Sequence, residues 1–275
     1  MSTQNITFIG GGNMARCLIG GLISDGFIAN NITVADPDEN SLNHLQQRFG
    51  IHTSTDNLSA IQNAEVVLLA VKPQLLHDVI EQLSPTLKKQ QPLLVSIAAG
   101  VREQSITQWL GFALPIVRSM PNTASLVQSG ATGLFANDKV NLEQKNSAES
   151  ILRAVGLTLW VEEESQLDAV TALSGSGPAY FFRVMEIMQK SAENLGLSQD
   201  QARLLTLQTA FGAAKLALES SDDLTTLRQN VTSKGGTTAA ALQHLQQGGL
   251  ESLFDGALKA AHARSIELGN LLGEQ

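Results

Sequence analysis

A single cysteine, Cys17, stands in a chain of 275 residues, so no intrachain disulfide can form. That fits a reducing compartment, and the cytoplasm is the expected location. No apolar run approaches the roughly 18–20 residues that a membrane-spanning helix requires. The opening Met1-Ser2-Thr3-Gln4 has no basic stretch ahead of a long apolar one, so no signal peptide is expected. Lys and Arg number 18 against 26 Asp and Glu, a net charge of −8, and no basic cluster offsets it. Binding along a nucleic-acid backbone is therefore not expected. The histidines (His44, His52, His77, His244 and His262) are scattered, with no Cys or second His at ligand spacing, so no metal site is expected.

Hydrophobic residues make up 43% and charged residues 16%, an ordinary globular balance. The length suits two domains at roughly 100–200 residues each. In the first half, short β-branched runs alternate with amphipathic stretches. Strands are predicted at Ile6–Ile9, Ile32–Asp36, Glu65–Ala70, Leu93–Ile97, Pro115–Arg118 and Gly156–Val161, with helices over Asn13–Asp25 and Glu39–Phe49. Continuous apolar strands separated by helices imply a parallel sheet buried on both faces, doubly wound in the Rossmann manner. Strand signals stop at the acidic run Glu162-Glu163-Glu164-Ser165-Gln166. Helices follow over Ala179–Leu195, Ser198–Ser220, Ala239–Gln247 and Leu250–Leu272. The expected division is an α/β domain over residues 1–163 and an all-α domain over 164–275.

The helix around Gln201–Glu219 is apolar on nearly every side, with Leu204, Leu205, Leu207, Phe211, Leu216 and Leu218 spread around it. Such a helix must be enclosed. Either its own small domain wraps it or a second subunit does, and the second solution predicts an obligate dimer or larger.

After the first strand comes Gly10-Gly11-Gly12-Asn13-Met14-Ala15, a match to G-x-G-x-x-A. The first glycine permits a tight turn, the second lets backbone approach a pyrophosphate, and the small third position allows close helix–strand packing. The helix that follows offers free N–H groups and a positive dipole end. Asp36, at the end of the second strand, either accepts hydrogen bonds from an adenosine ribose or caps the next helix. The first reading favours NADH at least as much as NADPH. Ala70-Val71-Lys72-Pro73, Ala98-Ala99-Gly100 and Asn122 follow later strands. Ligands in open α/β sheets bind beyond such strand ends. Lys72 faces the ribose or phosphate there, or solvent. Asn122 can bond a nicotinamide carboxamide or neighbouring backbone.

Together these pieces resemble the pyrroline-5-carboxylate reductase family. The resemblance runs nearly the full length, through Phe8–Ala15, Ala70–Pro73, Val95–Gly100 and Arg118–Thr123. Its most specific parts are Leu173-Ser174-Gly175-Ser176-Gly177-Pro178-Ala179-Tyr180 and Val231-Thr232-Ser233-Lys234-Gly235-Gly236-Thr237-Thr238. It implies reduction of 1-pyrroline-5-carboxylate to L-proline with NADPH or NADH, and homodimers through the C-terminal helices that assemble as a ring of five. Coenzyme contacts are implied at Ile9, Gly10, Gly11, Gly12, Asn13, Met14, Ala15, Asp36, Asn57, Val71, Lys72, Pro73, Ala98, Ala99, Gly100 and Asn122. The substrate carboxylate is assigned to Ser233, Gly235, Gly236, Thr237 and Thr238, with Ser176 and Glu164 near the substrate. The family usually has Pro where this chain has Lys234.

A glycine pair and two threonines opening a helix form an anion site of backbone N–H groups and rotating hydroxyls. Thr238 is the expected catalytic residue, an orienting donor to the imine nitrogen or to a water. Ser176 opens a helix with Pro178 early in it, a pattern that also serves plain capping. Glu164 lies in an acidic run that otherwise reads as a solvated linker. A β-hydroxyacid dehydrogenase would place a Lys base on the helix after Gly177, where this chain has Phe181, which cannot act as a base. A non-catalytic dinucleotide sensor would leave the threonine loop without a purpose.

Overall fold

A computed structural model describes residues 4–273. In the first half, β1 (Ile6–Ile9) leads to α1 (Asn13–Ser24), β2 (Ile32–Ala35) to α2 (Glu39–Phe49), and β3 (His52–Ser54) to the single turn α3 (Asn57–Ala60). The strand β4 (Val66–Leu69) is followed by α4 (Leu76–Gln90), β5 (Leu93–Ser96) by α5 (Glu103–Leu110), and β6 (Ile116–Met120) by β7 (Gly130–Ala136). Then come α6 (Leu142–Arg153), β8 (Gly156–Trp160) and α7 (Gln166–Val170). Among the described residues these strands form one eight-stranded sheet, ordered β3-β2-β1-β4-β5-β6-β7-β8. All neighbours are parallel except β6 and β7.

Alternation along each strand builds the core on two faces, because successive side chains point to opposite sides of a sheet. Phe8 and Leu68 join Leu18 and Leu22 of α1, Leu45 of α2 and Leu152 of α6. Ile9, Val67 and Leu69 join Ile80 and Leu83 of α4 and Ile106 of α5. Both faces are thus closed by helices, as a parallel sheet requires. Each fully buried large side chain contributes about 1.5–3 kcal/mol relative to exposure.

The periodicity located β1, β2, β4, β5, β6 and β8 but not β3 or β7. The polar triplet His52-Thr53-Ser54 makes an edge strand with no apolar run to mark it. In β7 the signal is diluted by glycine, and close packing is the reason. A Cβ on Gly133 would lie 2.8 Å from a methyl of Val170, and one on Gly130 would lie 2.9 Å from the Val155 carbonyl oxygen.

The chain divides into two compact units. One comprises the described residues up to Ser176 together with those from Ala261 onward; the other is Gly177–Ala260. The second unit is helical: α8 (Gly177–Asn194), α9 (Gln199–Glu219), α10 (Leu224–Asn230), α11 (Thr237–Gln247) and the start of α12 (Leu250–Gly273). Ser198 caps α9 in a reciprocal box with Gln201. Within the chain only Ala202 and Thr206 of α9 are buried, while Leu204 is 68% exposed and Phe211 62%. Enclosure of this helix by its own domain is therefore not what the fold does.

Candidate active site

The turn after β1 is shaped by close contacts. Gly10 has φ +103°, and a Cβ there would lie 2.7 Å from the Ala70 carbonyl oxygen. Only glycine fits both restraints. Gly12 caps α1 with no side-chain bond, and a Cβ on it would meet nothing within 4 Å. The first N–H groups of α1, at Asn13, Met14 and Ala15, therefore end the helix without a protein side-chain cap. Such a helix start suits a phosphate.

Asp36 completes the turn from the next strand. Its Oδ2 accepts from the Gly11 N–H at 2.7 Å and its Oδ1 from the Asp38 N–H at 2.9 Å. It does not cap α2; Asp38 does, accepting from the Asn40 N–H at 3.0 Å. Arg16 fastens the same turn, with Nε on the Gly11 carbonyl at 3.0 Å and Nη2 on Ser41 Oγ at 2.8 Å. Burial pushes the nearby Cys17 thiol above its usual range.

Ala70–Pro73, Ala98–Gly100 and Asn122 follow β4, β5 and β6, parallel to β1, so they lie along one sheet edge. Ile9 ends β1 as part of the buried core. Lys72 is exposed and pairs with no carboxylate among the described residues. Asn57, the first residue of α3, donates to Gln82 Oε1 at 3.1 Å. Asn122 is buried and spends both ends of its amide on protein. Nδ2 donates to the Ser174 carbonyl and Oγ, each at 3.2 Å, and Oδ1 accepts from the Ala131 N–H at 3.2 Å. This secures the π-helical turn Thr171–Gly175, in which the Ser176 N–H donates to the Thr171 carbonyl at 2.9 Å.

Glu164 is not part of a solvated linker. Its Oε1 accepts from Arg118 Nη1 and from the Glu103 N–H, both at 2.6 Å. Burial pushes the Arg118 guanidinium below its usual range, and Glu164 opposes that shift. Beside it, Arg102 Nη2 meets Asp168 Oδ2 at 2.7 Å. Sequence reasoning gave no role to Arg118, although it begins one of the family motifs, and passed over Arg102 and Asp168. The visible signal was an arginine inside a strand otherwise buried on both faces.

The threonine loop belongs to the helical unit. Gly235 has φ +74°, and the Gly236 N–H donates to the Ser233 carbonyl at 3.0 Å. Gly236 is the N-cap of α11 without a side-chain bond, so Thr237 and Thr238 form its uncapped first turn. Ser233 and Thr237 are exposed and Thr238 is half-buried. No hydrogen bond of either threonine hydroxyl is made among the described residues, which leaves two N–H groups and two hydroxyls for an anion. Among the described residues no group of three or more His, Cys, Asp or Glu could hold a metal ion. No helix among them is long and apolar enough to cross a membrane.

A parallel sheet whose first strand feeds a glycine turn and an uncapped helix defines a dinucleotide-binding protein of the Rossmann type. Residues 164–268 match the family described as pyrroline-5-carboxylate reductase dimerisation. Residues 5–100 match the one described as NADP oxidoreductase coenzyme F420-dependent. The chain is 48% identical to the pyrroline-5-carboxylate reductase of Pseudomonas aeruginosa, covering 100% of both chains. It superposes on the Coxiella burnetii pyrroline-5-carboxylate reductase with a TM-score of 0.94 at 51% identity, covering 97% of this chain and 99% of that one. For the Plasmodium falciparum pyrroline carboxylate reductase with NADP bound the TM-score is 0.85 at 27% identity, covering 98% and 99%. The chain belongs to the pyrroline-5-carboxylate reductase family.

Proposed function

We propose that this protein reduces the cyclic imine 1-pyrroline-5-carboxylate to L-proline with NADPH or NADH, the last step of proline biosynthesis. The observation that carries this reading is the pair of uncapped helix starts, at Gly12 and at Gly236, in a chain of this family. When bound, the reduced nicotinamide supplies the hydride. The chain's own part is to hold and orient. Gly10–Ala15 receive the pyrophosphate, and Asp36 accepts from the adenosine ribose, which makes NADH at least as good a coenzyme as NADPH. Ile9, Asn57, Val71–Pro73, Ala98–Gly100 and Asn122 line the remainder. Ser233, Gly235, Gly236, Thr237 and Thr238 hold the substrate carboxylate, with Ser176 and Glu164 beside the substrate.

Thr238 is the proposed catalytic residue. Its hydroxyl is too weak an acid to protonate the imine nitrogen unaided, so it orients that nitrogen or a water by donating a hydrogen bond. Anchoring the carboxylate presents one face of the imine at close range. Residues 1–163 serve as the coenzyme domain and 164–275 as the substrate and dimer domain. Homodimers form through the C-terminal helices and assemble to a decamer, in the cytoplasm.

Purified protein should consume NADH or NADPH only when pyrroline-5-carboxylate is added, followed by absorbance. No consumption with either coenzyme would defeat the proposal, and reduction of NAD+ or NADP+ on addition of a β-hydroxyacid instead would favour the dehydrogenase reading.

A further inference from the structure

Asp168 is 5% exposed, and both its carboxylate oxygens are filled from distant parts of the chain. Oδ2 accepts from Arg102 Nη2 at 2.7 Å, and Oδ1 accepts from Ser265 Oγ at 2.7 Å. Arg102 lies just beyond the turn Ala98–Gly100 that ends β5, whereas Ser265 is on α12. One helical turn further along α12, Gly269 lies against the same turn: a Cβ there would be 3.1 Å from Arg102 Nε and 3.2 Å from the Gly100 carbonyl oxygen. Another turn on, Leu272 is 8% exposed and belongs to the core with Ala98 and Val101. Its Cδ1 would meet a Cβ on Gly100 at 3.2 Å. Gly100 itself takes φ +81°.

We propose that Asp168 and the end of α12 are positioning elements for the coenzyme, acting through the Ala98–Gly100 turn that they brace from behind. The inference rests on the coenzyme role proposed above for that turn. A charged pair this buried is retained only where its geometry is well met, and removing one partner leaves the other uncompensated. The two ends of the brace are 97 residues apart in sequence, so a residue near the C-terminus sets the affinity for a ligand it does not touch. Residues 261–268 lie inside the segment matched to the dimerisation family yet belong to the compact unit that carries the sheet.

The test measures the dissociation constants of NADH and NADPH by fluorescence titration, the KM for pyrroline-5-carboxylate, and thermal stability on the same samples. Asp168→Asn should weaken coenzyme binding about tenfold and Ser265→Ala about threefold, with the imine KM changed less than about twofold. Gly269→Ala keeps the Asp168 carboxylate but presses on Arg102 and on the Gly100 carbonyl, and should also weaken coenzyme binding, which keeps the test open if Asp168→Asn does not fold. Leu271→Ala, on the exposed side of the same helix, should change neither constant. Lower thermal stability with unchanged coenzyme affinity in both Asp168→Asn and Gly269→Ala would overturn the proposal. Failure of the unaltered protein to bind either dinucleotide would instead remove the coenzyme reading beneath it.

Discussion

The two compact units spend their apolar residues in opposite ways. In the sheet unit, Phe8, Leu18, Leu68 and Ile80 are each 0% exposed, sealed between strands and helices of one chain. In the helical unit, Leu205, Phe211, Leu216 and Leu253 are more than half exposed on a single chain. Both sets are hydrophobic, so composition does not separate them. A parallel sheet presents two broad faces that its own crossover helices can cover. A few helices cannot enclose one another's full circumference, and exposed apolar area on this scale marks an interaction surface. The sheet unit thus closes its core within one chain, although Leu126, Val127, Leu142, Leu157 and Leu159 stay exposed on it, whereas the helical unit is built to be finished by another, in line with its match to a dimerisation family.

The sharpest way to break this contrast is to charge α9. Phe211→Asp combined with Leu204→Asp should weaken self-association about a thousandfold, roughly 4 kcal/mol, read as a fall in mass by light scattering. A monomeric parent protein would end the comparison outright. In the sheet unit the counterpart is Gly10→Ala, which sets a Cβ 2.7 Å from the Ala70 carbonyl oxygen at φ +103°. It should cost about 3 kcal/mol and lower the melting temperature by roughly 6–12 °C without changing the mass. Thr238→Ala tests the helical unit as a catalytic partner. Turnover should fall about thirtyfold, near 2 kcal/mol of transition-state stabilisation, with coenzyme affinity nearly unchanged; parental turnover would remove its role.

The smallest effect concerns acid stability at the sheet edge. Trp160 Nε1 donates to Glu149 at 2.7 Å, and with help from Arg153 this holds the Glu149 carboxyl below its usual range. A depressed carboxyl stabilises above its unfolded value of about 4.3, and the gain is lost as pH falls through the lower folded value. Trp160→Phe should therefore flatten slightly the acid limb of a stability–pH curve. An unchanged limb would show that this part-buried bond contributes nothing.

Much of the site was legible because it depends on local chemistry. The glycine turn, the strand ends and the Ser233–Thr238 loop are short contiguous motifs, and each occupies the turn or helix start its residues prescribe. Asp36 reads as a ribose acceptor or a cap of the next helix; the cap falls to Asp38, and the bond of Asp36 to the Gly11 N–H joins residues 25 apart and has no local mark. Asn122 likewise shows its amide on Ser174 and Ala131, where the motif alone left neighbouring backbone and coenzyme as equal partners. Glu164 misled most, since three glutamates in a row look solvated until Arg118 and the Glu103 N–H are brought to one of them.

From the order of its residues alone this chain specified a parallel, helix-covered sheet, a phosphate-seeking turn and a second segment too apolar to stand by itself. Those properties follow from periodicities and from the backbone freedom of individual glycines, which act over a few positions. Folding in three dimensions decided that Asp168 grips Ser265, that Leu272 closes on Gly100, and that the glycines of β7 make room for close neighbours. Such pairings arise only when remote stretches compete for the same small volume, and no short window of residues records which will meet.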